Sequence, residues 1–270
     1  LELAESDADR ARAWSALAGI PYRHGDMHAA LAAYRSGLAS LSGSDTRAHA
    51  RLESDSAWAL YRLGRHDEAL KVLERVASVL VEAPETHLRC RTKDRLGLVY
   101  HAVGRAEEGL AWLDDGVADA TEQDDDRELA VLCLHRGGLL VQLGRHAEAA
   151  ADLARAATIA DAAHDRYLRS VIRWNTADLH EARGDLAAAL AERDAEVTQL
   201  REIGNDRNLA GAQRHRARLL SKLGRQAQAV QAAREARQAA ARTGDADLVG
   251  GIGQELERIL AGKGSGTATS

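Results

Sequence analysis

The chain of 270 residues has no phenylalanine, one methionine, two prolines and two cysteines. So few prolines leave most of it free to run as helix, because proline removes a backbone donor and breaks a helix interior. Cys90 and Cys133 lie in different helix-compatible segments, which excludes a disulfide framework and reads as buried thiols in a reducing compartment. No apolar run approaches the roughly 18 residues that cross a bilayer. The first residues do not read as a signal peptide either, so the expected location is the cytoplasm. Lysine is scarce: Lys71, Lys93, Lys222 and Lys263 are the only four among 36 basic residues, an arginine-rich balance that leans bacterial. A net charge of -5 argues against bulk binding to nucleic acid or to anionic membranes.

Catalytic and metal-binding patterns are missing as well. His24 and His28 are interrupted by Gly25 and have no third ligand nearby, so no metal is expected. Asp124-Asp125-Asp126 lacks the glycine and terminal glutamate of a calcium loop, and Gly250-Gly251-Ile252-Gly253 lacks the preceding strand of a dinucleotide fingerprint. Around Gly262-Lys263-Gly264 a phosphate loop fails twice, because Glu257 stands in place of its first glycine and Gly264 in place of the Ser or Thr after the lysine. No serine or cysteine sits in a nucleophile context. The reading is a non-enzyme without cofactors.

What the chain does have is a recurring phrase. It runs Leu63-Gly64-Arg65-His66-Asp67-Glu68-Ala69-Leu70, then Val103-Gly104-Arg105-Ala106-Glu107-Glu108-Gly109-Leu110. It returns from Leu143 to Ala150 and from Leu223 to Val230, with looser copies at His24-Gly25-Asp26 and Arg183-Gly184-Asp185. The turn glycines Gly25, Gly64, Gly104, Gly144, Gly184 and Gly224 are spaced 39, 40, 40, 40 and 40 residues apart. A period of that size marks a stack of supersecondary units, each contacting only its neighbours.

Segment 46–81 shows the local logic. Leu52, Ala57, Trp58, Leu60, Tyr61 and Leu63 fall at helical spacings, Gly64 closes that helix, and Asp67 and Glu68 open the next one where negative charge suits the helix end. The second helix has a broad apolar pattern through Leu70, Leu73, Val76 and Leu80, as expected of a helix with neighbours on two sides. Helix pairs are predicted at 8–41, 46–82, 85–121, 125–163, 165–203 and 206–243, separated by polar joins whose Asp or Ser can cap the following helix. A lone helix at 245–261 is expected to cap the stack, and the tail 262–270 to be disordered. Residues 1–7 read as the end of an upstream helix, and so as a fragment cut from a longer chain.

Seven residues before each turn glycine stand Ala18, Ala57, Gly97, Gly137, Ala177 and Ala217; five after stand Ala30, Ala69, Gly109, Ala149, Ala189 and Ala229. All twelve are small, and in this the chain resembles the tetratricopeptide repeat family, in a long variant with a 40-residue period. The resemblance implies an all-α fold, a right-handed superhelical solenoid of six helix pairs plus the C-terminal capping helix. It departs from the family in its early tryptophan, present only at Trp14, and in the closing proline, absent except for Pro84.

The resemblance also implies a concave groove lined by the first helix of each pair. Ligand positions carried over from the family fall on Arg12, Arg51, Asp55, Trp58, Arg91, Arg95, His135, Trp174, Asn175, Asp178, Arg214, His215 and Arg218. Arg12, Arg51 and Arg91 would form a ladder, with Arg95 one turn on, and Arg214 and Arg218 a second pair. Guanidinium pairs suit carboxylates, phosphates or acidic peptides; alternatively they are solvated faces bridged to Glu53, Asp55 and Asp94. Trp58 and Trp174 are candidate anchors or simply packed residues, and Trp112, in a second helix, reads as structural. The implied function is a protein-interaction scaffold for a peptide or partner domain, acidic peptides included. The alternative is the sensor region of a larger bacterial signalling protein, controlling an ATPase, cyclase, kinase or transcription regulator in cis.

Overall fold

The computed structural model describes residues 6–23, 26–42, 45–80 and 86–260, and among these the only regular structure is α-helix. The turn at Gly25, the Gly43-Ser44 and Ala83-Pro84-Glu85 joins, residues 1–5 and the tail 262–270 lie outside the described residues. Thirteen helices follow one another among the described residues: α1 (Asp7–Arg23), α2 (Met27–Ser40), α3 (Thr46–Arg62), α4 (His66–Leu80), α5 (Thr86–Ala102), α6 (Ala106–Glu122), α7 (Asp126–Gln142), α8 (His146–Ala162), α9 (Arg166–Ala182), α10 (Leu186–Ile203), α11 (Asp206–Lys222), α12 (Gln226–Thr243) and α13 (Ala246–Leu260).

The recurring phrase is a helix stop followed by a helix start. At Gly64 (φ 73°) the chain turns left-handed, and the next amide, Arg65 N–H, donates back to Leu60 O at 3.0 Å, closing the helix end. The joins after α6, α8, α10 and α12 also turn left-handed, at Gly204 and Gly244 with glycine and at Asp124 (φ 52°) and His164 (φ 53°) with a non-glycine at the strained angle. The arginine of the phrase then clamps the glutamate three residues on. Arg65 donates to Glu68 at 2.6 and 2.5 Å, Arg105 to Glu108 at 2.6 and 2.5 Å, and Arg145 to Glu148 at 2.7 and 2.6 Å. The looser copies solve the same problem differently. There an aspartate replaces the arginine and its carboxylate caps the new helix, Asp26 accepting from Ala29 N–H at 2.9 Å and Asp185 from Ala188 N–H at 3.0 Å.

The chain divides into two compact units, up to Leu139 and from Leu140 onward. In the first, α1 packs on α2, α3 on α4 and α5 on α6, while α1 also touches α3 and α3 touches α5, so the first helices lie side by side. Leu31, Leu52, Leu60, Leu73, Leu96 and Val99 form its core. In the second, α9 packs on α10 and α11 on α12, with Leu190, Leu219 and Leu220 in one cluster and Val197, Leu200 and Leu209 in another. α13 packs on α12 and α11 through Ile252 and Ile259. Around α12 the core is largely alanine (Ala232, Ala233, Ala236, Ala239, Ala240), which lets backbones approach.

All twelve small positions are buried. Their reason is clearest in the third pair, where a Cβ placed on Gly109 of α6 would stand 2.5 Å from the Gly97 carbonyl oxygen of α5. There the helices meet backbone to backbone.

Candidate binding face

In the first unit the polar side chains of α3 and α5 close on one another. Asp55, buried on α3, accepts from Arg95 at 2.8 Å, from Arg91 at 3.0 Å and from the Ser15 hydroxyl at 3.0 Å. Burial by itself would raise its carboxyl, but the Arg95 and Arg91 guanidiniums outweigh that and hold it below the usual carboxylate range. Arg95 also donates to Ser54 Oγ at 2.7 Å and lies 6.0 Å from the Trp58 ring centre. Trp58 stacks on Tyr61 at 4.8 Å and donates its indole N–H to Tyr22 at 2.7 Å. Arg95, buried, and Arg91, half-buried, are therefore both paired within the fold, and the partner that neutralises them, Asp55, comes from the preceding pair.

His135 on α7 meets Asp94 at 2.6 Å; burial would lower its pKa, and Asp94 outweighs this and raises it. Beside it, burial pushes Glu128 up to about 7, and His87 Nδ1 lies 3.1 Å from that carboxylate.

Arg51 is different. It has no hydrogen-bond or ion-pair partner among the described residues, and its Nε is buried without an acceptor. It shares a cavity of about 420 Å³ between α1 and α3 with Arg12, whose exposed guanidinium reaches Asp9 at 2.6 Å, and with Arg47. The expected three-arginine ladder is thus reduced to Arg12 and Arg51 on this cavity, and Arg47 joins them from the first turn of α3. Arg47 is not among the ligand positions carried over from the family.

In the second unit Trp174, Asp178, Arg214, His215 and Arg218 gather around a residue that the sequence reading missed. Arg193 of α10 is fully buried, donates to Asp178 at 2.5 Å and to Glu196 at 2.8 Å, and lies 4.2 Å above the Trp174 ring. His215 meets Trp174 edge-on with centroids 4.4 Å apart. Burial, then Arg193, Arg214 and Arg218, depress His215 to about 3, so it is neutral near pH 7. Arg214 Nε is buried without an acceptor, and Asn175 turns back to the Val171 carbonyl at 3.5 Å. A signal for Arg193 and Glu196 was available. Nine residues after the turn glycine the other pairs hold Tyr34, Leu73, Leu113, Leu153 and Ala233; twelve after, they hold Gly37, Val76, Gly116, Ala156 and Ala236. Charges at two core positions of one repeat mark a local departure from the scaffold's own rule.

Burial lifts the Glu196 carboxyl from its ordinary 4.5 to about 7, against the pull of Arg193. A carboxyl that is a weaker acid when folded contributes most stability below its unfolded value and loses it as pH rises through its folded one. Glu196→Gln is therefore expected to flatten the fall in Tm between about pH 5 and pH 8 relative to the parent chain. Parallel melts in which both chains lose Tm at the same rate would show that Glu196 does not carry that proton.

No protein-family model and no curated protein sequence matches the chain. Solved structures do. A Rap protein complexed with Competence and Sporulation Factor aligns at a TM-score of 0.70 and 14% identity, covering 85% of this chain and 69% of the other. A signal-transduction ATPase with numerous domains and a tetratricopeptide repeat sensor, from Pyrococcus horikoshii, aligns at 0.68 and 15%, covering 95% of this chain and 39% of the other. A putative kinesin light chain with nearly identical TPR-like repeats, from Podosopora anserina, aligns at 0.56 and 18%, covering 72% and 95%. At these identities the likeness is one of fold: an all-α, tetratricopeptide-like helical-repeat solenoid.

Proposed function

We propose, on the premise of that fold, that the chain is a non-enzymatic, cytoplasmic interaction scaffold. On this reading it binds a peptide or partner protein on the face made by its first helices. The observation that carries this reading is Arg51: a guanidinium with a buried Nε and no acceptor, facing a cavity it shares with Arg12 and Arg47. An arginine left unpaired beside open space is poised for a carboxylate, which it can grip with two parallel hydrogen bonds. An acidic peptide segment is the occupant that this chemistry favours. In support, the similar Rap protein was solved in complex with Competence and Sporulation Factor.

The test is binding of the whole chain to immobilised peptides rich in Asp and Glu. Arg51→Glu with Arg12→Glu should weaken capture by about tenfold or more, since a lost charged partner in a binding contact costs about 2 kcal/mol. Arg75→Glu, an exposed control on α4 that pairs with Glu53 at 2.8 Å, should leave capture unchanged. Peptides held equally well by all three chains would place the binding surface elsewhere.

A second reading, a sensor region acting in cis on a catalytic module, is favoured by the likeness to the archaeal ATPase, of which this chain spans 39%. Finding no nucleotide-binding or DNA-binding module in the same reading frame would remove it.

A further inference from the structure

A second cavity, of about 570 Å³, opens on the other side of the first unit, between α4, α5 and α6. Its size is that of a small-molecule pocket, which in general is apolar with a few placed polar groups. Ala77, Leu80 and the Trp112 ring supply the apolar wall. Trp112, expected to be a packing residue, does pack against the core of the first unit; it is only half-buried, and it also fronts this space. It stands eight residues after its turn glycine, where the other pairs carry Ala33, Val72, Asp152, Glu192 and Ala232, so no other repeat has an aromatic ring there.

The polar groups are unevenly matched. Lys93 Nζ is held between Asp115 at 2.7 Å and Asp119 at 2.6 Å, and Arg89 also pairs with Asp119 at 2.6 Å. Glu74, on the opposite wall, accepts from the Tyr100 hydroxyl at 2.6 Å. Both cations are thus engaged by carboxylates; among the lining side chains three carboxylates stand with two cations, and Arg105 approaches Glu74 from outside the lining. Asp115 is the exposed member, its side chain 57% accessible at the cavity edge. Tyr100 already has Arg105 over its ring at 4.6 Å; Trp112, the stronger cation-binding ring, is the one at the mouth.

We propose that this cavity binds a small organic cation, an amine on an apolar body. Its hydrocarbon lies on Leu80 and Trp112, and its nitrogen lies between the Trp112 ring and the Asp115 carboxylate. The site is separate from the first-helix face and does not depend on the function proposed for it.

Three probes of one shape and different charge test it: phenethylamine, phenethyl alcohol and hydrocinnamate, titrated into the full chain while the Trp112 indole N–H resonance is followed. The amine should shift that resonance saturably and bind at least about tenfold more tightly than the anion, with the alcohol between, as a cation–ring contact with a carboxylate implies. Asp115→Asn should weaken the amine by about fivefold or more and narrow its lead over the alcohol. Ala77→Phe, which fills the cavity, should abolish the shift while the helical circular dichroism signal is retained. Lys222→Gln, an exposed cation of the second unit that pairs with Glu181, should leave the amine's binding unchanged. Equal binding of all three probes, tighter binding of the anion, or an amine shift that survives Ala77→Phe would each overturn the proposal.

Discussion

Gly109→Leu is expected to be among the most damaging single substitutions in the first unit, costing about 3 kcal/mol. Even the first carbon of the new side chain would stand 2.5 Å from the Gly97 carbonyl oxygen, and 3.3 Å from His101 N. Those are backbone atoms, so α5 and α6 must separate rather than a side chain rotate away. Gly97 gains no slack from the other side, because a Cβ there would lie 2.4 Å from Leu113 Cγ. Gly109→Ala should already lose a large part of the stability, whereas Gly250→Ala in α13, with nothing within 4 Å, should be neutral or gain about 1 kcal/mol through helix propensity. Urea titrations of the three variants check this. A Gly109→Ala chain as stable as its parent would mean that the two helices are not in backbone contact there.

The second large effect is expected at Arg193. Arg193→Leu should cost about 3–5 kcal/mol, the range for stripping one partner from a buried ion pair. It leaves Glu196, itself almost wholly buried, and Asp178 without their counter-charge. Adding Glu196→Ala should recover most of the loss, because the fourth pair holds leucine and alanine at these two positions, Leu153 and Ala156. Replacing a buried pair by well-packed apolar groups is often neutral or stabilising. Chemical denaturation of the parent, single and double variants decides it. Equal losses in single and double variants would mean that Arg193 contributes by packing on Trp174, not by pairing.

Much of the architecture is legible in the chain because its repeat is strict. The glycine interval of 40 residues locates the joints, and counting from each glycine finds twelve small positions that are all buried. Such features depend only on neighbours in sequence: a left-handed turn wants glycine, and an amphipathic period wants a helix. Even the two looser phrases obey local rules, an aspartate cap replacing an arginine clamp.

The site is another matter, because it depends on which side chain comes to stand opposite which. Helical spacing presents Arg51, Arg91 and Arg95 as equivalent cations. Only stacking α3 against α5 brings Asp55 under Arg91 and Arg95 and leaves Arg51 without a partner. Likewise Trp58 and Trp174 read alike along the chain, yet one stacks on Tyr61 beside Arg95 and the other lies under a buried arginine from α10. Period, helix joints and contact alanines are written in local sequence, since backbone angles and helical spacing act over a few residues. Which charges are spent and which remain for a partner was decided by packing between helices some 40 residues apart, where a Coulomb contact depends on distance in space.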